Sequence, residues 1–204
     1  MTQLSIYRLK PAFQRLLMPA ARGLHRVGIS ANQVTLFACA VSVVLGLALF
    51  LAPLSPAWFA LLPIWLFLRM ALNAIDGMMA REFDQCTALG AYLNELTDVV
   101  ADAALYLPFA ALPGFSPLWV GALVLAAALS EMAGVLGQTV GASRRYDGPF
   151  GKSDRAVLFG ALGGVVAVVQ PLPGWLGVSM PIAVALTTLT VVNRVRAGLA
   201  ESRR

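Results

Sequence analysis

Six long stretches of apolar residues divide the chain, and their length limits what it can fold into. They cover residues 32–53, 57–80, 89–112, 116–140, 156–173 and 179–195. A helix needs about 20 apolar residues to cross the hydrocarbon core of a bilayer. Because 59% of the residues are hydrophobic and only 12% are charged, a soluble domain is excluded. We predict an all-α integral membrane protein, a single domain over residues 1–204 with a six-helix bundle at 32–195.

Lys and Arg are distributed unevenly among the segments that connect these stretches. Fourteen of the fifteen lie in the N-terminal segment, at Arg81, in the loop 141–155 or at the C-terminus. The connections near 53–57, 112–117 and 171–180 contain none. Since Lys and Arg accumulate on the cytoplasmic side of membrane proteins, we predict a multi-pass protein of a bacterial-type inner membrane with cytoplasmic N- and C-termini.

The N-terminal segment combines basic and apolar side chains. Residues 3–26 place leucines and aromatic residues among five Lys and Arg residues. This combination is typical of an amphipathic helix that lies on a membrane surface. We predict such a helix on the cytoplasmic leaflet, in contact with anionic membrane lipid. The alternative is that these charges only fix the orientation of the bundle.

A row of polar side chains occupies the end of the second stretch and the start of the third. Asn73 and Asp76 share one face of the second helix, and Asn94, Asp98 and Asp102 share one face of the third. Polar groups inside a membrane are costly and usually functional. Oxygen ligands without His or Cys suit Mg²⁺ or Mn²⁺. The row therefore predicts a metal site of these five residues, and the alternative is a structural cluster that joins the two helices.

The same segment resembles the signature of the CDP-alcohol phosphatidyltransferase family. The positions that match in residue type and spacing are Asp76, Gly77, Ala80, Arg81, Gly90 and Asp98. Six fixed residue types at fixed separations form a specific motif. The segment that opens the first apolar stretch, with Asn32 and Thr35, is also similar to the family. The first and third aspartates of the signature are replaced here by Asn73 and Asn94.

The resemblance implies a membrane transferase of phospholipid biosynthesis. Its donor would be CDP-diacylglycerol or another CDP-alcohol, its acceptor a small alcohol, and its products would include CMP. Asp98 would be the catalytic general base, and Mg²⁺ or Mn²⁺ the cofactor at the cytoplasmic face. The residues expected to bind the nucleotide and its diphosphate are Asp76, Gly77, Ala80, Arg81, Gly90, Asn32 and Thr35. A homodimer is expected as well, and nucleic acid is not expected as a partner.

Basic residues in and after the loop 141–155 lie on the same side of the membrane as the polar row. Arg144, Arg145, Lys152 and Arg155 are therefore candidates for binding an acceptor or lipid phosphate. The alternative is that these charges serve only to orient the helices. Arg69 lies inside an apolar stretch, and we expect it to form an ion pair with Asp102 or Glu131.

Two further functions remain open from the sequence. Asn73 and Asn94 can coordinate a cation through oxygen but supply no charge, which favours a catalytically impaired relative that binds CDP-lipid or a partner in a regulatory role. A small transporter is the third class. The concentration of polar residues at one membrane face argues against transport, since transporters place their sites near the midplane.

Overall fold

A computed structural model describes residues 6–51 and 55–203, with side chains from residue 13 onward. The described residues form seven α-helices and no strand. The helices are α1 (Ile6–Arg26), α2 (Ala31–Leu51), α3 (Leu61–Glu82), α4 (Ala88–Tyr106), α5 (Pro117–Leu136), α6 (Lys152–Val168) and α7 (Ser179–Ser202). Short 3₁₀ turns cover Pro56–Ala60, Leu107–Ala111, Gly137–Val140 and Gly174–Val178. The all-α prediction is therefore confirmed for this part of the chain.

Four helical segments among the described residues are long and apolar enough to cross a membrane. They are Ala31–Leu51, Pro56–Glu82, Pro117–Val140 and Gly174–Ser202. Helix α4 differs from them because it carries the three carboxylates of Glu95, Asp98 and Asp102, and α6 differs because it has only 17 residues. Residues 3–5 of the predicted surface helix and 52–53 of the first predicted stretch lie outside the described residues.

Local side-chain contacts explain where the helices that carry the motif begin. Before α2, the Ser30 backbone N–H donates to Gln33 Oε1 at 2.8 Å, and the Gln33 N–H donates back to Ser30 Oγ at 3.3 Å. This reciprocal pair is a capping box, which satisfies donors at a helix start. Before α4, Thr87 Oγ1 accepts from the Gly90 N–H at 2.9 Å. These caps fix the ends of α2 and α4 near the predicted site.

Two predicted boundaries differ from the structure for identifiable reasons. The α-helical part of the third stretch ends at Tyr106 and continues as a 3₁₀ turn that contains Pro108, because proline lacks the N–H that an α-helix needs. The fifth stretch was expected to begin at residue 156, but α6 begins at Lys152. Asp154 Oδ2 accepts from the Gly151 N–H at 2.8 Å, which caps this polar first turn.

Helix α2 packs on both α3 and α4 and holds them in place. Its contact with α4 is the most extensive between any two described helices, and α5 with α7 and α3 with α6 form the next closest pairs. Helices α3 and α4 follow each other along the chain, yet they are not among the closely packed pairs of described elements. Side chains rather than backbones connect α3 to α4, so the facing polar groups line a gap between the helices.

The apolar core lies toward the end of the bundle that carries the uncharged connections. Phe109 contacts Phe59, Phe115 and Phe159 edge to face, with ring centroids 5.1–5.4 Å apart. Tyr106 stacks on Phe159 at 3.8 Å. All five rings are buried. This core gives the helices a rigid base, because aromatic side chains bury large apolar surfaces, and the polar groups collect at the other end.

Replacing Gly46 with Ala is expected to destabilise the bundle. A Cβ at residue 46 would lie 2.1 Å from the Ala104 carbonyl oxygen, so α2 and α4 would have to separate. Overpacking of this kind typically costs about 1–3 kcal/mol, which thermal unfolding in detergent micelles would show as a lower midpoint. Gly164→Ala is the matched control, since nothing lies within 4 Å of its Cβ position. Equal midpoints for the two variants would contradict this packing.

Candidate active site

Helices α3 and α4 bring Asn73, Asp76 and Asp98 together near the connection between them. Asn73 and Asp76 lie one turn apart on α3, and Asn73 Nδ2 donates to Asp98 Oδ1 at 3.0 Å. Asn94 precedes Asp98 by one turn of α4 and is half-buried. The two polar rows therefore face each other, as their spacing predicted.

Asp76 is oriented by a residue from a third helix. Its side chain is buried, with only 5% of the residue exposed. Thr35 Oγ1 on α2 donates to Asp76 Oδ2 at 2.7 Å, and the same hydroxyl contacts the Ala31 carbonyl oxygen at 3.1 Å. A hydrogen bond to a carboxylate is stronger than one between neutral groups. Thr35 thus holds one oxygen of Asp76.

Asp98 lies between two cations. Arg69 Nη2 is 3.2 Å from Asp98 Oδ1, and the Lys152 ammonium forms an ion pair with Asp98 Oδ2. The Asp98 side chain is 17% exposed and that of Lys152 is 27% exposed, so both are reachable from outside the bundle. Each oxygen of the Asp98 carboxylate therefore contacts a cation.

Asp102 was predicted among the metal ligands, but both of its oxygens contact arginines. Arg69 Nη1 donates to Asp102 Oδ1 at 2.5 Å, and Arg155 Nη2 lies 3.4 Å from Oδ2. Asp102 is also buried, because it lies one turn deeper than Asp98. The structure therefore does not bring its oxygens to the cluster of Asp76 and Asp98. The expected ion pair of Arg69 with Asp102 is confirmed.

The residues predicted to bind nucleotide form two small contacts beside this cluster. A Cβ at Gly90 would lie 2.8 Å from Asn32 Oδ1, so glycine allows α2 and α4 to approach there. A Cβ at Gly77 would lie 3.4 Å from Arg81 Nη1. Ala80 follows within a turn, and its carbonyl oxygen accepts the Gln85 N–H at 3.0 Å. Small residues therefore surround the loop side of Asp76.

Each of the four predicted phosphate-binding cations pairs with a carboxylate. Lys152 pairs with Asp98, and Arg155, which is fully buried, pairs with Asp102 and Glu131. Arg144 pairs with Glu95 and Glu131, and Arg145 pairs with Asp147 and Glu201. The Arg145 guanidinium holds the pKa of the Asp147 carboxyl below its usual range through hydrogen bonds of 2.8 and 3.0 Å. Arg145 thus fastens the loop to α7.

Two residues absent from the predicted site occupy central positions in it. Glu131 on α5 contacts Arg155 at 2.9 Å and Arg194 at 3.4 Å. Arg194 on α7 also donates to the Ser130 carbonyl oxygen. A charged residue inside an apolar stretch was the available signal for Glu131. Arg194 stood among the charges of the C-terminal segment, where its burial could not be read from the sequence.

The fold and the site define a helical membrane protein with a carboxylate and carboxamide cluster opposite a set of buried ion pairs. Such a site suits the handling of a phosphorylated substrate at a membrane. A family model described as CDP-alcohol phosphatidyltransferase matches residues 29–190. The chain belongs to this family, which confirms the family and the class of membrane transferase predicted from the sequence.

Relatives of known sequence cover almost the whole chain. The inner membrane protein YnbA of Escherichia coli K12 is 47% identical over 196 residues, which is 96% of this chain and 97% of that protein. The phosphatidylinositol phosphate synthase of Mycobacterium tuberculosis H37Rv is 27% identical over 192 residues, or 91% of this chain and 87% of that one. Together with the four long apolar segments, these relatives support a multi-pass inner membrane protein.

Solved structures show the same fold. The Mycobacterium tuberculosis phosphatidylinositol phosphate synthase with CDP-DAG bound superposes with a TM-score of 0.74 at 23% identity, covering 90% of this chain and 94% of that one. The same enzyme in complex with manganese and citrate gives a TM-score of 0.73 at 22% identity, covering 90% and 88%. Both comparisons show that this chain shares its arrangement of helices with the solved structures.

Proposed function

We propose that this protein transfers a phosphatidyl group from CDP-diacylglycerol to an alcohol, with release of CMP. The observation that carries the proposal is the placement of Asp76 and Asp98, the two retained aspartates, on facing sides of α3 and α4. A structure of a relative with CDP-DAG bound supports the choice of donor. The family model supports the reaction class.

The oxygen atoms of the polar cluster are of the type that binds a divalent cation. Asp76 and Asp98 offer carboxylate oxygens, and Asn73 and Asn94 offer amide oxygens, which are hard ligands that suit Mg²⁺ or Mn²⁺. Within the described residues no group of three or more His, Cys, Asp and Glu side chains is arranged to hold a metal, so the amides would complete the ligand set. A bound cation would neutralise charge on the diphosphate and polarise the phosphorus under attack. Asp102 is left out because its oxygens pair with arginines.

Asp98 would act as the general base. It accepts the proton of the acceptor hydroxyl, while the hydroxyl oxygen attacks the phosphorus that carries diacylglycerol. A new phosphorus–oxygen bond forms, the bond from that phosphorus to the bridging oxygen breaks, and CMP leaves with the electron pair. Arg69 and Lys152 contact the two oxygens of Asp98 and hold its carboxylate in position. Most of the rate enhancement would come from positioning and charge stabilisation, as in other phosphoryl transfers.

The nucleotide would lie at the loop side of Asp76. Gly77, Ala80 and Gly90 leave room there for the cytidine and its phosphates, and the exposed Arg81 is free to turn toward the diphosphate. Asn32 and Thr35 form the wall that α2 contributes, through the contacts of Asn32 with Gly90 and of Thr35 with Asp76. On the other side of Asp98, the partly exposed Lys152 and Arg144 would line the space for the acceptor, and the buried Arg155 would support it through its ion pairs with Asp102 and Glu131.

The proposal also covers how the chain crosses the membrane. All six helices α2 to α7 cross the membrane, α4 and α6 included, with both termini and the active site at the cytoplasmic face and residues 1–204 forming one domain. The one-sided distribution of Lys and Arg supports this orientation. Helix α1 lies on the cytoplasmic leaflet and contacts membrane lipid, which its alternation of basic and apolar residues supports. The active protein is a homodimer.

A regulatory CDP-lipid binder is the second candidate. Asn73 and Asn94 supply no charge to a cation, and Asn73 donates a hydrogen bond to Asp98. Two fewer carboxylates weaken the attraction for a divalent ion, since unit charges about 4 Å apart interact by roughly 4 kcal/mol at an effective dielectric of about 20. This candidate predicts nucleotide binding without turnover.

Purified protein in lipid is expected to release CMP from CDP-diacylglycerol when a suitable alcohol and Mg²⁺ or Mn²⁺ are present. Chelation with EDTA should stop the release, and added Mg²⁺ should restore it, because a cation held at Asp76 and Asp98 would neutralise charge on the diphosphate. The measurement is labelled CMP in the aqueous phase over a panel of alcohols. If the protein binds the donor but releases no CMP with any alcohol or metal, the transferase proposal is contradicted and the regulatory binder is supported.

A further inference from the structure

Three arginines from three different segments converge on the carboxylate of Glu131. Arg155 Nη2 on α6 lies 2.9 Å from Oε1, Arg194 Nη1 on α7 lies 3.4 Å from Oε2, and Arg144 Nη2 in the loop before α6 lies 3.6 Å from Oε2. Ser130 adds its hydroxyl at 3.4 Å. An oxyanion surrounded by three guanidinium groups is the arrangement that proteins use to bind phosphate. Here a side chain of the protein takes the place of that anion.

The ion pairs around Glu131 form one network that leaves little positive charge unmatched. Its five cations are Arg69, Arg144, Lys152, Arg155 and Arg194. Its four carboxylates are Glu95, Asp98, Asp102 and Glu131. One positive charge of the network is therefore left without a carboxylate. A phosphate dianion on the acceptor would enter a site with this single unmatched cation, close to the negative Glu131.

The same arginines nevertheless have hydrogen-bonding capacity left. The Nε–H groups of Arg144, Arg155 and Arg194 are buried and have no hydrogen-bond partner among the described residues. A buried donor without a partner is costly, so these groups favour a ligand that supplies acceptor oxygens. Because four of the five positive charges are already balanced, hydroxyl oxygens of an uncharged ligand meet this need without adding a negative charge.

We infer that Glu131 selects an acceptor alcohol that carries no phosphate group. The inference rests on the proposed transferase function and specifies the substrate class of that site. Glu131 occupies the anion position among Arg144, Arg155 and Arg194, and the acceptor is an uncharged polyhydroxyl alcohol whose oxygens reach the remaining N–H donors. Glu131 is thus a specificity-determining residue, separate from the proton transfer at Asp98.

Paired acceptors test this selectivity through turnover. Glycerol is compared with glycerol 3-phosphate, and inositol with inositol phosphate, by CMP release from CDP-diacylglycerol. The unphosphorylated member of at least one pair is expected to have a kcat/KM at least tenfold higher. Glu131→Gln keeps the shape of the side chain and removes its charge, so the ratio should move at least tenfold toward the phosphorylated acceptor. A preference of the unaltered protein for phosphorylated acceptors would overturn the inference and leave the transferase function intact.

Inorganic phosphate supplies a second test that does not depend on turnover. Calorimetric titration without metal or donor should show no phosphate binding to the unaltered protein at millimolar concentrations, but binding to Glu131→Gln. The double variant Glu131→Gln with Arg194→Gln restores the balance of charge and should lose that binding. Phosphate binding to the unaltered protein that Arg194→Gln abolishes would refute the inference. If no alcohol is turned over, the transferase proposal fails, but the phosphate titration still tests the role of Glu131. If Glu131→Gln cannot be purified, the titration of the unaltered protein and of Arg194→Gln provides that test.

Discussion

Replacing Asp98 with Asn is expected to lower CMP release by a factor of about 10²–10⁴, the usual contribution of a general base. Asn cannot accept a proton from the acceptor hydroxyl, although it keeps nearly the same shape. The substitution also removes the charge that pairs with Arg69 and Lys152. The effect should fall mainly on kcat, while binding of the donor at the Asp76 side persists. Single-turnover measurements of CMP release, together with donor binding, separate the two effects.

The matched control is the same chemical change at Asp84. This residue is exposed in the connection between α3 and α4 and has a left-handed backbone with φ of 52°. Asn adopts that conformation readily, so Asp84→Asn should release CMP at the rate of the unaltered protein. Comparable rates for the Asp98 and Asp84 variants would rule out Asp98 as the base.

Loss of the Arg155 charge is expected to lower the free energy of unfolding more than the Gly46→Ala substitution does. Arg155 is fully buried and contacts Asp102, Glu131 and the Ser130 hydroxyl, so it joins α4, α5 and α6. Removing one partner of a buried ion pair leaves the other charge uncompensated and costs about 3–5 kcal/mol. Arg155→Gln should therefore lower the thermal unfolding midpoint in detergent micelles by several degrees.

Arg196 provides the comparison for this change. It lies two residues after the buried Arg194 on α7, but its side chain is exposed. Exposed ion pairs contribute at most about 1 kcal/mol, so Arg196→Gln should leave the midpoint nearly unchanged. If the Arg155 and Arg196 variants unfolded at the same temperature, Arg155 would not hold the helices together.

The sequence predicted the helices well because each of them corresponds to a continuous stretch of apolar residues. Apolar length located the stretches, and the Ser30 to Gln33 segment marks the start of α2 by a contact within four residues. The ends were less accurate where a polar first turn joins the helix, as at Lys152. Asp76 and Asp98 were identified as a pair because their fixed spacing, four-residue periodicity and short connection all lie within one segment.

The partners of the charges could not be read in this way. Asp102 shares the helix face of Asp98, so periodicity grouped it with the metal ligands, whereas Arg69 and Arg155 hold it in the structure. The four predicted phosphate-binding cations were not recognised as charges already paired with carboxylates. The carboxylates that neutralise them come from other helices, and spacing along one helix says nothing about its distant neighbours.

By itself, the sequence determined that the chain is helical, membrane-embedded and equipped with two rows of polar side chains on consecutive helices. Those properties depend on apolar length and on the helical repeat, which act over a few turns. Only the tertiary structure decided that α2 packs closely on both α3 and α4, and that Glu131 lies where three arginines meet. The physical reason is that charge balance in a buried site is a sum over side chains from distant segments, and only the packed helices bring those charges together.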